Sequence, residues 1–258
     1  MLIVISPAKT LDLESDYKAP AASQPEFLTD TRKLVKIMRG YSVADLGKLM
    51  HTSEAISTLN EERFKTWKTP FNEDNARASL FTFKGAVYTG LEAENFSDAD
   101  LEYAQDHLRI LSGLYGALRP LDLMQPYRLE MGTELKNERG KNLYAFWGDK
   151  LSKAINRDLA AQGDNVLVNL ASNEYFSALE KKVLDAQVVT PVFKDYSSGQ
   201  YRVLSFFAKK ARGRMAAWIL RNRVADVAEL AGFKLDGYKY SKGESTPEKP
   251  VFLRKPKS

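Results

Sequence analysis

The 258-residue chain contains no cysteine and only two histidines, His51 and His107. The first absence excludes disulfides, thiolate metal sites, cysteine-ligated iron–sulfur clusters and thiol redox sensing within the chain. The second leaves any metal site to be built mostly from carboxylates, and no H-x-x-H or H-E-x-x-H spacing occurs. A Ser-His-Asp triad has few candidate bases. No apolar run reaches the length of a membrane span. The start, Met1-Leu2-Ile3-Val4-Ile5-Ser6-Pro7, lacks a basic leader and a long apolar stretch, so a soluble cytoplasmic protein is expected. Repeats, low-complexity tracts and long linkers are missing too.

What is present is a large apolar complement. With 44% hydrophobic residues the chain can bury a substantial core. Its length fits one large domain or two small ones, and strands and helices mix irregularly. This predicts a single compact α+β domain over residues 1–258. The net charge of +5 is mild, but its distribution is uneven. No acidic residue occurs from Tyr196 to Ala225, where Arg202, Lys209, Lys210, Arg212, Arg214, Arg221 and Arg223 all lie. Such a block points to a polyanion partner.

Periodicity predicts strands at Leu2–Ile5 and Val166–Leu170, and helices over Glu26–Arg39, Ser42–Met50, Ser53–Thr66, Asn72–Phe81, Asp98–Leu111, Leu143–Ala161 (stopped by Gly163) and Lys209–Arg223. Val87–Gly90 reads as an exposed turn or short strand. Gln187–Phe193 and Gln200–Phe207 read as a hairpin around Ser198-Gly199. The segment from Gly243 to Ser258 reads as a strand with a frayed tail.

Several motifs carry chemistry. Gly113-Leu114-Tyr115-Gly116, after the helix from Asp98 and before Arg119-Pro120, resembles a helix-hairpin-helix turn. In such a turn bare glycine backbone lets amides approach a phosphate. Its glycine spacing is one residue longer than the usual G-h-G, and an ordinary helix C-cap followed by a turn has the same composition. On a helix, Lys210, Arg214 and Arg221 share a face at spacings of four and seven. Five such phosphate contacts predict a log–log salt slope of about −4 to −5; a solvated helix face is the plainer reading. Lys9 leaves a strand in Ser6-Pro7-Ala8-Lys9-Thr10 and suits a phosphate, although P-loop glycines are missing. Arg128 and Glu130 sit among apolar residues, and Asn169, Ser172, Asn173 and Glu174 follow a buried strand, a common position for cleft residues.

Longer strings extend across the chain: Ile5-Ser6-Pro7-Ala8-Lys9-Thr10-Leu11, Phe83-Lys84-Gly85-Ala86-Val87-Tyr88-Thr89-Gly90-Leu91, Leu108 to Gly116, Leu118 to Gly132, Asn169 to Phe176, and Phe207-Ala208-Lys209-Lys210-Ala211-Arg212-Gly213. In these the chain resembles the YaaA family of bacterial peroxide-stress-response proteins over essentially its whole length. The resemblance implies protection against hydrogen peroxide, less unincorporated iron, and less oxidative damage to DNA and protein. It also implies an α/β architecture with a positively charged cleft and a helix-hairpin-helix element, and binding to duplex and branched DNA. It carries over no catalytic residue. Without cysteine, such protection cannot run through thiol chemistry.

Together these readings predict a binding protein for double-stranded or branched DNA, with the helix-hairpin-helix-like element at about residues 98–130. The expected contacts are Lys9, Gly113, Gly116, Arg119, Lys209, Lys210, Arg212 and Arg214, with no catalytic residue, metal, cofactor or obligate protein partner. The alternative is an enzyme acting on a nucleotide or other phosphorylated ligand in a cleft of Lys9, Arg128, Glu130, Asn173 and Glu174. There Lys9 would hold phosphate, and Glu130 or Glu174 would serve as general base. A third reading, iron handling by carboxylates, lacks a compact acidic cluster.

Overall fold

Leu2–Ile5 forms β1, and all four of its residues are buried. A strand without a polar face has to be covered on both sides, as in the middle of a parallel sheet. A computed structural model, which describes residues 1–255, places it there. β1 pairs in parallel with β2 (Leu108–Ser112) on one side and β4 (Val166–Leu170) on the other. An antiparallel β3 (Gly116–Leu118) extends the sheet beyond β2, and a parallel β5 (Gln187–Val189) extends it beyond β4. The order is therefore β3-β2-β1-β4-β5. The chain steps from β1 to one neighbour, then crosses to the other. In doubly wound sheets that reversal opens a crevice at the carboxyl ends of the two flanking strands. Here those ends are Ile5 and Leu170.

A second sheet is formed by β6 (Val192–Ser197), β7 (Gln200–Arg202), β8 (Lys239–Tyr240) and β9 (Val251–Arg254), in the order β7-β6-β9-β8. Its inner face packs Phe193 against Phe233, Tyr238 and Phe252. The expected turn at Ser198-Gly199 joins β6 to β7, and both turn residues have positive φ, 52° and 83°. That is the backbone a two-residue hairpin asks for.

Two helices set the cleft described below. α4 (Ala86–Leu91) packs on α8 (Ser205–Asn222), which also reaches β1 and β4. They touch backbone to backbone. A Cβ on Gly213 would collide with the carbonyl oxygen of Val87, and one on Gly90 with that of Lys210. Elsewhere α2 (Val43–Met50) and α3 (Glu54–Thr66) form an αα-hairpin across a three-residue turn in which His51 has φ 52°. It follows α1 (Leu28–Met38). α5 (Asp98–His107) starts on a capping box, with the Ser97 hydroxyl accepting from the Asp100 amide at 3.2 Å and the Asp100 carboxylate accepting from the Ser97 amide at 3.1 Å. No helix among the described residues is long and apolar enough to cross a membrane.

Several expectations need correction. The architecture is a mixed α/β one, and the expected α+β class misses that the larger sheet is mostly parallel. The helix expected over Asp98–Leu111 ends at His107, and Leu108–Ser112 is a fully buried strand. A short apolar run reads alike as buried strand or helix end, and the tertiary partner β1 decides. The following Gly113-Leu114-Tyr115 therefore turns between two strands, and no helix-hairpin-helix forms at residues 113–119. Val87–Gly90 is helical and, apart from Thr89, buried, not an exposed turn. Asn72–Phe81 is not a helix: it divides into a turn capped by the Asn72 side chain, a two-residue ladder of Arg77–Ala78 with Leu123–Met124, and the start of a helical turn, Ser79–Thr82. The Leu143–Ala161 helix breaks at Gly148 (φ 51°) into α6 (Leu143–Trp147) and α7 (Lys150–Gln162), with Gly163 as the αL stop. Gln187–Val189 belongs to the larger sheet rather than to the hairpin. The terminal strand is β9, and the end of the expected frayed tail lies outside the described residues.

Candidate nucleic-acid interface

The loops leaving β1 and β4 are tied together. The Ser6 hydroxyl accepts the Ser172 amide at 2.8 Å, and Tyr88 of α4 donates its hydroxyl to the Ser6 carbonyl at 3.1 Å. A short ladder, Thr10 with Lys84 and Leu11 with Phe83, fixes the Lys9 loop beside the N-terminus of α4. Between these loops, at the carboxyl ends of β1 and β4, lies a cleft of about 460 Å³. Five cations line it, Lys9, Lys84, Arg128, Lys209 and Arg212, against two carboxylates, Glu130 and Glu174. Its apolar wall includes Tyr88, Tyr127 and Tyr175.

The charges there are not equally compensated. Glu130 is held at both oxygens, 2.8 Å from Lys9 and 3.1 Å from Arg128. Glu174 accepts the Gly132 amide at 2.9 Å. Lys84 reaches Asp12 at 3.1 Å on the outer rim. Lys209 and Arg212 pair with no carboxylate among the described residues. Arg212 is the more telling of the two, because it is half-buried, burial depresses its affinity for the proton, and no carboxylate among the described residues stands within ion-pair distance to offset the cost. A partly desolvated guanidinium without an ion-pair partner is unfavourable, and planar bidentate recognition of a phosphate is what its geometry suits. Burial also pushes the Tyr88, Tyr127 and Tyr175 phenols far above their usual range, so they stay neutral and act as hydrogen-bonding walls.

The expected contacts separate into two groups. Lys9, Lys209 and Arg212 converge on the cleft. Lys210 sits beside them on α8, half-buried, with its carbonyl against Gly90. The others lie elsewhere. Gly113 and Gly116 are buried, and the close approach they permit is to the protein's own backbone and core. A Cβ on Gly113 would strike the Leu129 carbonyl, and one on Gly116, at φ 77°, would stand 2.9 Å from the Trp147 ring. Gly113 thereby seats the 128–130 loop that carries Arg128 and Glu130. Arg119 is 3.0 Å from buried Asp122, and also bonds the Gln24 carbonyl at 3.1 Å. Arg214 pairs with Glu92, and with Asp236 at 3.4 Å. Of the alternative set, Lys9, Arg128, Glu130 and Glu174 share the same cleft, whereas Asn173 opens the next helical turn outside its lining. Beyond Glu130 and Glu174 a second cavity of about 760 Å³ runs to the αα-hairpin, lined there by Lys48 and His51. Among the described residues no three histidines or carboxylates converge as metal ligands would.

A family model described as "Peroxide stress protein YaaA" matches residues 1–244. The chain belongs to this family. A UPF0246 protein of Alteromonas mediterranea is 56% identical over 258 residues, covering all of both chains. UPF0246 proteins of two Aliivibrio fischeri strains are 55% and 54% identical over 254 residues, with 98% of each chain covered.

In this YaaA-family chain, residue-by-residue reading of the sequence missed Lys84, whose place depends on a two-residue ladder, and Gly90 and Gly213, whose task is helix contact. The available signal was their helical register. On α8, Gly213 follows Lys209 by four residues and Arg212 by one. The small residue that lets the helix approach α4 therefore sits beside the two cations that the approach delivers to the cleft.

Proposed function

We propose that the chain serves peroxide defence by binding DNA through its phosphates, with Arg212 and Lys209 gripping the backbone and Lys9, Lys84 and Lys210 supporting them. The observation that carries this reading is Arg212, a half-buried guanidinium lining the cleft with no carboxylate partner among the described residues. Phosphate contacts position a protein on DNA without reading bases, so little sequence preference is expected. Arg119, Arg214, Gly113 and Gly116 have no part in this version of the site. The absence of cysteine fits protection at the DNA rather than removal of peroxide.

The test is a fluorescence-anisotropy titration of labelled linear and four-way-junction DNA at several salt concentrations. Five phosphate contacts give a log–log slope of roughly −4 to −5. The triple variant Lys9→Glu, Lys84→Glu, Lys209→Glu changes only exposed side chains, and is expected to lose binding by at least about a hundredfold at 0.1 M salt while unfolding normally. Retained affinity in that variant sinks the reading.

A second reading rests on the size of the cleft. At about 460 Å³ it suits a mononucleotide-sized ligand better than a duplex. In that reading Lys9, Arg128 and Glu130 form the polar floor around a phosphorylated small molecule. Competition decides between the two: a free nucleotide that displaces DNA at micromolar concentration favours the small ligand.

A further inference from the structure

The first turn of α8 holds Phe206, which is 67% exposed, and its neighbour Phe207. Water-facing phenylalanine is unfavourable, and a patch of such side chains marks a contact surface. Phe206 is not loosely placed. Its ring meets Phe207 edge-on at 5.7 Å, Phe207 lies under the Arg254 guanidinium at 4.6 Å, and Arg254 is fixed by buried Asp195 at 2.5 Å. Lys209 and Lys210 follow Phe206 at the i+3 and i+4 positions, and Arg212 follows Lys209 at i+3. Phe206 and Lys209 are therefore neighbours on the helix surface, as are Lys209 and Arg212, and the last two line the cleft. With a rise of about 1.5 Å per residue and about 3.6 residues per turn, Phe206 stands about 9 Å before Arg212 along the axis and about 120° from it around the helix. No carboxylate lies in the chain from Tyr196 to Ala225 to repel a polyanion.

We propose that Phe206 is a stacking platform for an unpaired base, adjoining the phosphate held by Lys209 and Arg212, so that the preferred partner is DNA with a single-stranded end or gap. This rests on the phosphate-binding reading above. An aromatic face beside a cationic groove is how proteins take single strands without reading sequence, because every base offers a π-face. The charge around Phe206 favours this occupant over an apolar partner: a greasy protein surface gains nothing from Lys209 and Lys210.

The test compares a blunt duplex with the same duplex carrying an unpaired overhang, by anisotropy, for the wild-type chain and Phe206→Ala. The wild type is expected to prefer the overhang. Phe206→Ala should lose about tenfold on the overhang and under about twofold on the blunt duplex, and Phe206→Trp should restore the loss. Because the side chain is exposed, thermal unfolding should be unchanged. Equal affinity of Phe206→Ala and wild type for the overhang overturns the platform while leaving phosphate binding intact. So does a variant that turns a dimer into a monomer by light scattering, which would make the patch an interface between copies. A wild type that binds neither DNA overturns the phosphate-binding reading itself.

Discussion

Two regions of the molecule are rich in arginine and lysine and differ in one respect. Around Asp30, Arg139 and Lys150 each stand 2.8 Å from a carboxylate oxygen, and at the end of β3 the guanidinium of Arg119 meets Asp122 at 3.0 Å. In the cleft, Lys209 and Arg212 face no carboxylate partner among the described residues. A cation that neutralises a buried carboxylate, as at Asp30 and Asp122, is architecture. Arg212 is half-buried without a carboxylate partner, which is unfavourable for the fold alone, whereas exposed Lys209 is solvated. The count of charges along the chain cannot make this distinction, because partners distant in sequence decide it. Asp30 reaches Lys150 across 120 positions, and Arg214, in the middle of the basic block, is neutralised by Glu92 and Asp236.

The largest expected effect is on what builds the cleft. Gly213→Ala places a methyl on the Val87 carbonyl and forces α8 away from α4. Overpacking of this kind costs about 1–3 kcal/mol or more. The variant should unfold at clearly lower urea concentration, and DNA binding should fall with it because Lys209 and Arg212 move together. A variant of unchanged stability would show that the helices are not locked by this contact.

A smaller effect sharpens the paired side of the comparison. Burial alone would raise the Asp30 carboxyl, but Lys150 and Arg139 outweigh it and hold it below its ordinary value. A carboxyl whose proton affinity is lower in the folded state adds stability above its unfolded value, near pH 4, and that stability is lost as the pH falls through the depressed folded value. Urea midpoints measured from pH 6 down to pH 2 should fall less steeply for Asp30→Asn than for the wild type. Parallel curves would remove Asp30 from the acid response. DNA binding at neutral pH should be untouched by this substitution.

Much of the fold was legible where local chemistry acts alone. Leu2–Ile5 and Val166–Leu170 are apolar throughout, Ser42 and Ser97 cap their helices, and Gly163 ends one. What escaped was decided at a distance. Leu108–Ser112 is a strand because β1 lies beside it, and Gly113 and Gly116 are glycines because Leu129 and Trp147 crowd them. Of the site, the basic helix and Lys9 were visible as charge. The cleft they share was not, because it depends on the strand crossover and on the backbone contact of Gly90 with Gly213. The resemblance to a peroxide-stress family was readable from strings across the whole chain, and the family match over residues 1–244 bears it out.

The most direct measurement is the unfolding free energy of wild type and Arg212→Met, each alone and with saturating DNA. Methionine keeps the packing of the arginine stem and removes an uncompensated charge, so the variant alone should be as stable as the wild type or up to about 2 kcal/mol more so. DNA at about a hundred times its dissociation constant should stabilise the wild type by about 2.7 kcal/mol and the variant far less. A variant that is markedly less stable on its own, yet gains as much from DNA, would contradict the claim that Arg212 is held in the cleft for a phosphate.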